Sequence, residues 1–280
     1  MSNWLLGIVL GIVQGVSEWL PISSKTQVIL ASTFLFGLGI KESYALGLFL
    51  EASTFVAAVY YFRREVWGVL KAIVGKGDEE GRLLLKFLLI VTLLTAVVGV
   101  AIYVTALSAI SGPVVGVPMI VLGLILIGDG VVITLARGRG VPTKRLVDLS
   151  MKDLVIIGVV QGIAALPGVS RSGVTVSAML LLGVNAKDSF RLSFLALIPA
   201  SVGAAGVSVI FSKVDIGAAL STIGVLVVLL AIAVSALIGV FLIRVLLRAA
   251  GSHRIALLAV ILGALAIGSG VVSILSGIAA

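Results

Sequence analysis

Cysteine is absent from the 280 residues and histidine occurs once, at His253. No disulfide framework, thiolate nucleophile or His/Cys metal constellation is therefore available. Charge is also scarce: 11% of residues carry it, against roughly a quarter in a soluble domain. Hydrophobic residues make up 60%, more than a folded chain of this length can hide from water. A soluble enzyme and a disordered chain are both excluded. Acids number 12 against 20 bases, giving a net charge of +8 and an isoelectric point near 10.1. In a chain so poor in acids, a few cations at the ends of membrane helices produce that value. The charge is read by position, and no nucleic-acid partner is inferred. The opening stretch MSNWLLGIVLGIVQG has no basic n-region and is not expected to be a cleaved signal peptide.

What the chain does have is apolar length. A spanning helix needs about 20 mostly apolar residues. Six segments qualify, at about 44–62, 86–107, 113–136, 190–211, 217–243 and 255–278. Two more are interrupted: 4–36 by Pro21-Ile22-Ser23-Ser24-Lys25-Thr26, and 154–183 by Pro167-Gly168-Val169-Ser170-Arg171-Ser172-Gly173. Their arms are too short to span, which predicts two re-entrant helix–loop–helix hairpins. The expected fold is all-α: a polytopic integral membrane protein of six transmembrane helices and two such hairpins.

The cations give the orientation. Arg63, Arg64, Lys71, Lys76, Arg82 and Lys86 lie in the 62–86 linker. Arg137, Arg139, Lys144, Arg145 and Lys152 lie at 137–153. Lys187, Arg191, Arg244, Arg248 and Arg254 fall on the same side if each hairpin returns to its own face. Sixteen of the 20 cations then mark the cytoplasmic side, Lys41 and Lys213 the outer side, and both termini are expected outside.

The chain also repeats itself. GIVQG at 11–15 returns as GVVQG at 158–162, Leu20-Pro21 as Leu166-Pro167, and Ser43-Tyr44 as Ser189-Phe190. Each half holds one hairpin and three spans, and an odd number of spans inverts the second half. The expected organisation is one membrane domain, 1–280, built from inverted repeats of about 1–136 and 153–280. A cytoplasmic linker at 137–152 joins them. Such repeats bring broken helices together near the midplane.

The two tips carry the chemistry. The first offers Gln14, Glu18, Ser23, Ser24, Lys25, Thr26 and Gln27, with Gln14 and Glu18 on one helix face. The second offers Ser170, Arg171, Ser172 and Thr175 between Gly168 and Gly173. Hydroxyls and N–H groups at a helix start attract an anion, and an arginine fork matches phosphate oxygens. Together they describe a phosphate-sized pocket beside one carboxylate. Plainer roles stay open: Arg171 pairing with Glu18 as a brace, hydroxyls bonding to their own helices, and Lys25 either binding phosphate or snorkelling outward. Glu51 is either a second acid in the cavity or the partner of a hydroxyl. Asp129 reads as structural and His253 as a surface residue. A hard cation on Glu18 and phosphate oxygens is compatible with this set.

EWLPISSKTQ (18–27) with Gln14 before it, and PGVSRSGVT (167–175), resemble the two signature motifs of the undecaprenyl-diphosphate phosphatase family of the BacA/UppP type. The resemblance extends over essentially the whole chain, including Phe194 and Pro199. It implies a membrane phosphatase that converts a polyprenyl diphosphate to the monophosphate and inorganic phosphate, recycling the lipid carrier of cell-envelope glycan synthesis. It also implies a plasma-membrane location, hydrolysis on the outer side, dependence on Mg²⁺ or Ca²⁺, and frequent homodimers. Carried over, Glu18 matches the motif acid, which also implies a metal ligand. Ser23 and Ser24 match the paired serines, and Ser170, Arg171, Ser172 and Thr175 the phosphate loop. Catalysis is assigned to Glu18, as cation ligand or general base, to Ser24, as candidate nucleophile with a metal-bound water as its rival, and to Arg171. Substrate binding is assigned to Gln14, Ser23, Lys25, Gln27, Ser170, Ser172 and Thr175. Gln14 stands where many bacterial members carry Glu, and Gln27 where many carry a histidine. The sequence looks like the archaeal branch, for which a dolichyl-type carrier is an alternative substrate. The rival class is a polyprenyl-phosphate flippase using the same inverted-repeat site.

Overall fold

The computed structural model of the chain describes residues 3–20, 22–109, 117, 120–121, 123–124, 126–128, 131, 143–165, 169–211, 220–221, 223–250 and 255–275. Among them the secondary structure is helical, with no strand beyond a single bridge between Lys144 and Val184. The helices are α1 (Asn3–Ser17), α2 (Ser24–Phe36), α3 (Ile40–Tyr61), α4 (Arg63–Ile73), α5 (Glu79–Ala109), α6 (Met151–Ile163), α7 (Arg171–Leu181), α8 (Ala186–Phe211), α9 (Val225–Ala250) and α10 (Ile255–Leu275). A 3-10 turn covers Leu146–Asp148, and the described positions between 117 and 131 are helical. Asp129, Pro167, Gly168 and His253 lie outside the described residues.

Both interrupted stretches are pairs of short helices, α1 with α2 and α6 with α7. Glu18–Leu20 turns away at the end of α1, and Ser23 caps α2 in an extended conformation. Ser170 caps α7 and accepts the Gly173 N–H at 3.3 Å. α2 ends at Gly37, whose φ of 68° closes the helix by donating to the Thr33 carbonyl.

Several boundaries depart from the expected ones, the start of α8 at Ala186 and the end of α9 at Ala250 among them. The 62–86 linker contains α4, an amphipathic helix with no buried residue. α5 begins at Glu79, ahead of the expected 86. Asp78 Oδ1 accepts the Gly81 N–H at 2.8 Å, and Glu79 and Glu80 sit in the first turn, where the helix dipole favours acids. Within the expected span 217–243 the described positions 220, 221 and 223 are helical, Gly224 takes a φ of 94° that breaks the helix, and α9 restarts at Val225.

Helix starts recur along the chain: Asn3 and Met151, Ser24 and Arg171, Ile40 and Ala186, Glu79 and Val225 lie 146 to 148 apart. Packing follows the same pairing. α1 packs on α9 and α6 on α5, α2 on α3 and α7 on α8, and α3 against α8. Glycine makes the closest approaches. A Cβ on Gly7, Gly11 or Gly15 would stand 2.7–2.8 Å from the carbonyl oxygens of Val227, Ala231 and Ser235, one turn apart along α9. Gly158 and Gly162 of α6 meet Leu94 and Val98 of α5 in the same way. Small residues at such seams are how helices pack when lipid, not water, surrounds them.

The outside of this bundle is apolar. Leu89, Leu93 and Val97 on α5 are each more than 60% exposed, and Leu237 and Phe241 on α9 more than that. Among the described residues, Glu79–Ile102 and Val225–Ala250 are long and apolar enough to cross a membrane. Trp4–Ser17, Phe49–Tyr61 and Val260–Leu275 are shorter apolar helices. Apolar surface on this scale suits lipid, and the fold is that of an all-helical membrane protein. The core gathers Trp19, Phe62, Phe87, Phe190 and Phe194. Trp19 meets Phe194 edge-on, with ring centres 5.2 Å apart.

α6 is fixed at its start. Ser150 Oγ accepts the Asp153 N–H, and Asp153 Oδ2 accepts the Ser150 N–H at 2.9 Å, with Lys144 Nζ 3.5 Å away. Burial alone would raise the Asp153 carboxyl, but the Ser150 hydrogen bonds and the Lys144 ammonium outweigh it and hold it below its ordinary 3.8.

Two outcomes follow. Gly11→Val drives a side chain into the α9 backbone and should lower stability by about 1–3 kcal/mol, read as a lower melting temperature of the detergent-purified protein. Asp153 titrates lower when folded than when unfolded. Its stabilising contribution is therefore full at neutral pH and is lost as the pH falls below 3.8 through the folded value. The melting-temperature gap between wild type and Asp153→Asn should be open at pH 7 and close under strong acid.

Candidate functional site

The two tips meet. Glu18, at the turn after α1, accepts from both flanks: Gln14 Nε2 donates to Oε2 at 3.0 Å and Ser24 Oγ donates to the same oxygen at 2.6 Å. Arg171, the first residue of α7, donates from Nη2 to Glu18 Oε1 at 3.0 Å. The same Nη2 donates to Glu51 Oε2, in the middle of α3, at 2.7 Å. Lys25 Nζ closes the set, 3.2 Å from Glu51 Oε1. Two carboxylates and two cations are thus held at one point, three of them nearly or fully buried and Lys25 only slightly exposed. Isolated ions at such a position would each cost several kcal/mol, so their pairing is what permits them there.

The hydroxyls of the second tip bind it to the first. Ser170 Oγ lies 3.3 Å from the Leu20 carbonyl, and Ser172 Oγ lies 3.3 Å from the Glu18 and Leu20 carbonyls. Thr175 Oγ1 reaches the carbonyl oxygens of Arg171 at 2.6 Å and Ser172 at 3.2 Å, and shares a 2.6 Å hydrogen bond with Ser193 of α8. Trp19 and Phe194 pack edge-on between the α1 turn and α8.

A small pocket opens at the meeting point. It is lined by Glu18, Ile22, Ser23, Ser24, Lys25, Val169, Ser170 and Arg171. The N-termini of α2 and α7 both begin among these lining residues. A second small pocket shares no lining residue with it but starts at the neighbouring Ser172 and Gly173. The rest of its wall is Trp19, Leu126, Val176, Phe190 and Leu262.

The expected site residues fall into three groups. Glu18, Ser23, Ser24, Lys25, Ser170 and Arg171 line one cavity, and Gln14 braces Glu18 from one turn below. Ser172 and Thr175 are engaged with backbone and with Ser193. Gln27 points elsewhere, donating to Ser269 of α10. Glu51, for which a second acid in the cavity and a hydroxyl partner were both open, has its carboxylate fully buried against Arg171 and Lys25. Ser193 carries no sequence signal among the many hydroxyls of the chain. For Glu51 the signal was an acid within an apolar span.

Oxygen donors suited to a hard cation are present: Gln14 Oε1, on the amide whose Nε2 donates to Glu18, is buried without a hydrogen-bond partner among the described residues. Among the described residues no group of three or more His, Cys, Asp or Glu side chains forms a metal cluster.

Residues 7–268 match the family described as Bacitracin resistance protein BacA. A protein of Saccharolobus solfataricus named undecaprenyl-diphosphatase is 49% identical over 274 residues, 98% of each chain. One of the same name from Sulfurisphaera tokodaii is 44% identical over 276 residues, 98% of this chain and 99% of its own. A third, from Pyrobaculum aerophilum, is 41% identical over 268 residues, 95% of this chain and 97% of its own. With nearly the whole length matched and both tips of the site inside the matched region, this chain belongs to the BacA family.

Proposed function

We propose that this chain is an integral membrane polyprenyl-diphosphate phosphatase. The observation that carries the reading is the 2.6 Å hydrogen bond from Ser24 Oγ to a Glu18 carboxylate whose other oxygen holds Arg171. A nucleophile, a base within reach of its proton and a phosphate-matching cation are thereby assembled on one cavity wall.

Phosphoryl transfer chiefly requires in-line positioning and neutralised charge. The terminal phosphate enters the cavity between the N-termini of α2 and α7, whose dipoles favour an anion. Arg171 and Lys25 face its oxygens, with Ser23 and the α7 N–H groups beside them. Ser24 Oγ attacks the terminal phosphorus while its proton passes to Glu18. The bond from that phosphorus to the bridging oxygen breaks, and polyprenyl monophosphate leaves with the bridging oxygen. Glu18 passes the Ser24 proton to the departing monophosphate. The freed carboxylate then takes a proton from water as the water attacks the phosphoserine phosphorus. The Oγ–P bond breaks, Ser24 Oγ recovers the proton from Glu18, and inorganic phosphate leaves. Water as the direct nucleophile is the competing route. Ser172 and Thr175, engaged elsewhere, hold the loop in shape and leave direct contact with phosphate to their neighbours. A divalent cation, Mg²⁺ or Ca²⁺, would be held by Glu18 and Gln14 Oε1, and when bound would neutralise phosphate charge. The apolar cavity from Ser172 to Leu262 suits the first isoprene units, whose remainder lies in lipid.

The same reading covers the architecture. α1–α2 and α6–α7 are the re-entrant hairpins, and six spans complete one membrane domain of two inverted repeats, 1–136 and 153–280. The linker 137–152 lies in the cytoplasm and both termini lie outside. The exchanged packing of α1 on α9 and α6 on α5 supports the repeat, and the tip-to-tip contact of Arg171 with Glu18 supports the hairpins.

Purified protein given undecaprenyl or dolichyl-type diphosphate should release inorganic phosphate. Glu18→Ala and Arg171→Ala should each reduce release about a hundredfold or more, and label from the terminal phosphate should be trapped on Ser24. Full activity in both variants would defeat the assignment. Tight binding of polyprenyl monophosphate by the wild type without any phosphate release would favour a transporter instead.

A further inference from the structure

Glu51 has no part in the reaction above, yet its carboxylate is completely buried and contacts both cations of the site. Its two oxygens are divided between them, Oε2 to Arg171 at 2.7 Å and Oε1 to Lys25 at 3.2 Å. Arg171 and Lys25 line the cavity, whereas Glu51 is not among the lining residues. The acid therefore stands behind the cations and leaves their outward faces to a ligand. Arg171 shows the consequence: both carboxylates converge on Nη2, and its buried Nε has no hydrogen-bond partner among the described residues. A donor is thus kept in reserve on a guanidinium that cannot rotate without breaking two ion pairs. Lys25 sits at the other oxygen on a flexible stem. Without Glu51 nothing in the described structure would keep that ammonium from turning to water, as lysine stems readily do. The two backbones run close here: Gly47, one turn before Glu51 on α3, faces the Cα of Lys25.

We infer that Glu51 is a positioning residue that fixes Arg171 and Lys25 as a paired cradle for the two phosphates of the substrate. The inference rests on the phosphatase reading for the substrate's identity, but the cradle itself binds a diphosphate whether or not it is cleaved.

The test measures binding of inorganic pyrophosphate to the full-length detergent-purified protein by calorimetry, with turnover of a polyprenyl diphosphate measured in parallel. Glu51→Gln keeps the shape but can accept from only one cation, and should weaken pyrophosphate about tenfold or more. Lys25→Met should weaken it similarly. In the double variant the two losses should not multiply, because both remove the same pair. In turnover, both single variants should raise KM more than they lower kcat, and Lys25→Arg should recover most of the loss. If Glu51→Gln does not fold, Glu51→Asp and Lys25→Met carry the comparison: Asp retains the charge on a shorter stem and should fall between wild type and Lys25→Met. Pyrophosphate bound equally well or more tightly by the Glu51 variants, or losses that multiply, would overturn the inference. So would a wild type that does not bind pyrophosphate. A wild type that binds pyrophosphate but releases no phosphate from the lipid would instead overturn the phosphatase reading and leave the cradle standing.

Discussion

The Arg171 guanidinium, held between the carboxylates of Glu18 and Glu51, is the contact on which the rest of the site depends. It joins three separate pieces of chain: the turn after α1, the middle of α3 and the start of α7. Burying any one of these charges alone would be expensive, and removing one partner strands the others. The two tips can therefore sit deep among apolar helices only while they meet. Lys25 brings the set to neutrality through the free oxygen of Glu51.

Close backbone packing makes the meeting geometrically possible. Gly7, Gly11 and Gly15 let α1 lie on the carbonyl groups of α9, and Gly158 and Gly162 let α6 lie on α5. Each short helix is thus seated on a long helix of the other half, and its turn is delivered to the interior. Trp19 against Phe194, with Phe190 edge-on behind it, fills the space beside the turns. Rigid seating of this kind is what a site needs if its charges are to be in place before the substrate arrives.

The two tips have different characters. In the first, the Ser24 hydroxyl is directed at a carboxylate, and Ser23, Ser24 and Lys25 line the cavity. In the second, Ser170, Ser172 and Thr175 are bonded to carbonyl oxygens and to Ser193, which leaves Arg171 as its projecting group. One tip presents reactive groups and the other a braced cation. At the far edge of the same bundle, Arg191 of α8 reaches Glu80 of α5 at 2.5 Å and Glu65 of α4 at 3.6 Å, tying the amphipathic α4 to the long helices.

Several features could be read from residue order alone, because they are local or compositional. Apolar length against scarce charge gave the membrane class. Pro21 and Pro167 marked the breaks, and GIVQG with GVVQG marked the repeat. The Glu18, Ser24 and Arg171 set was recognisable from its two motifs. α4 and the early start of α5 were missed, since their apolar content is too low to register as spans and their caps lie outside the apolar runs. Only the tertiary structure decided the partners of Lys25, Gln27 and Glu51. Glu51 is 26 residues from Lys25 and 120 from Arg171, and no periodicity relates positions so distant. Which side chain a buried charge finds depends on which backbones approach, and the glycine seams that seat α1 on α9 and α6 on α5 join helices far apart in the chain.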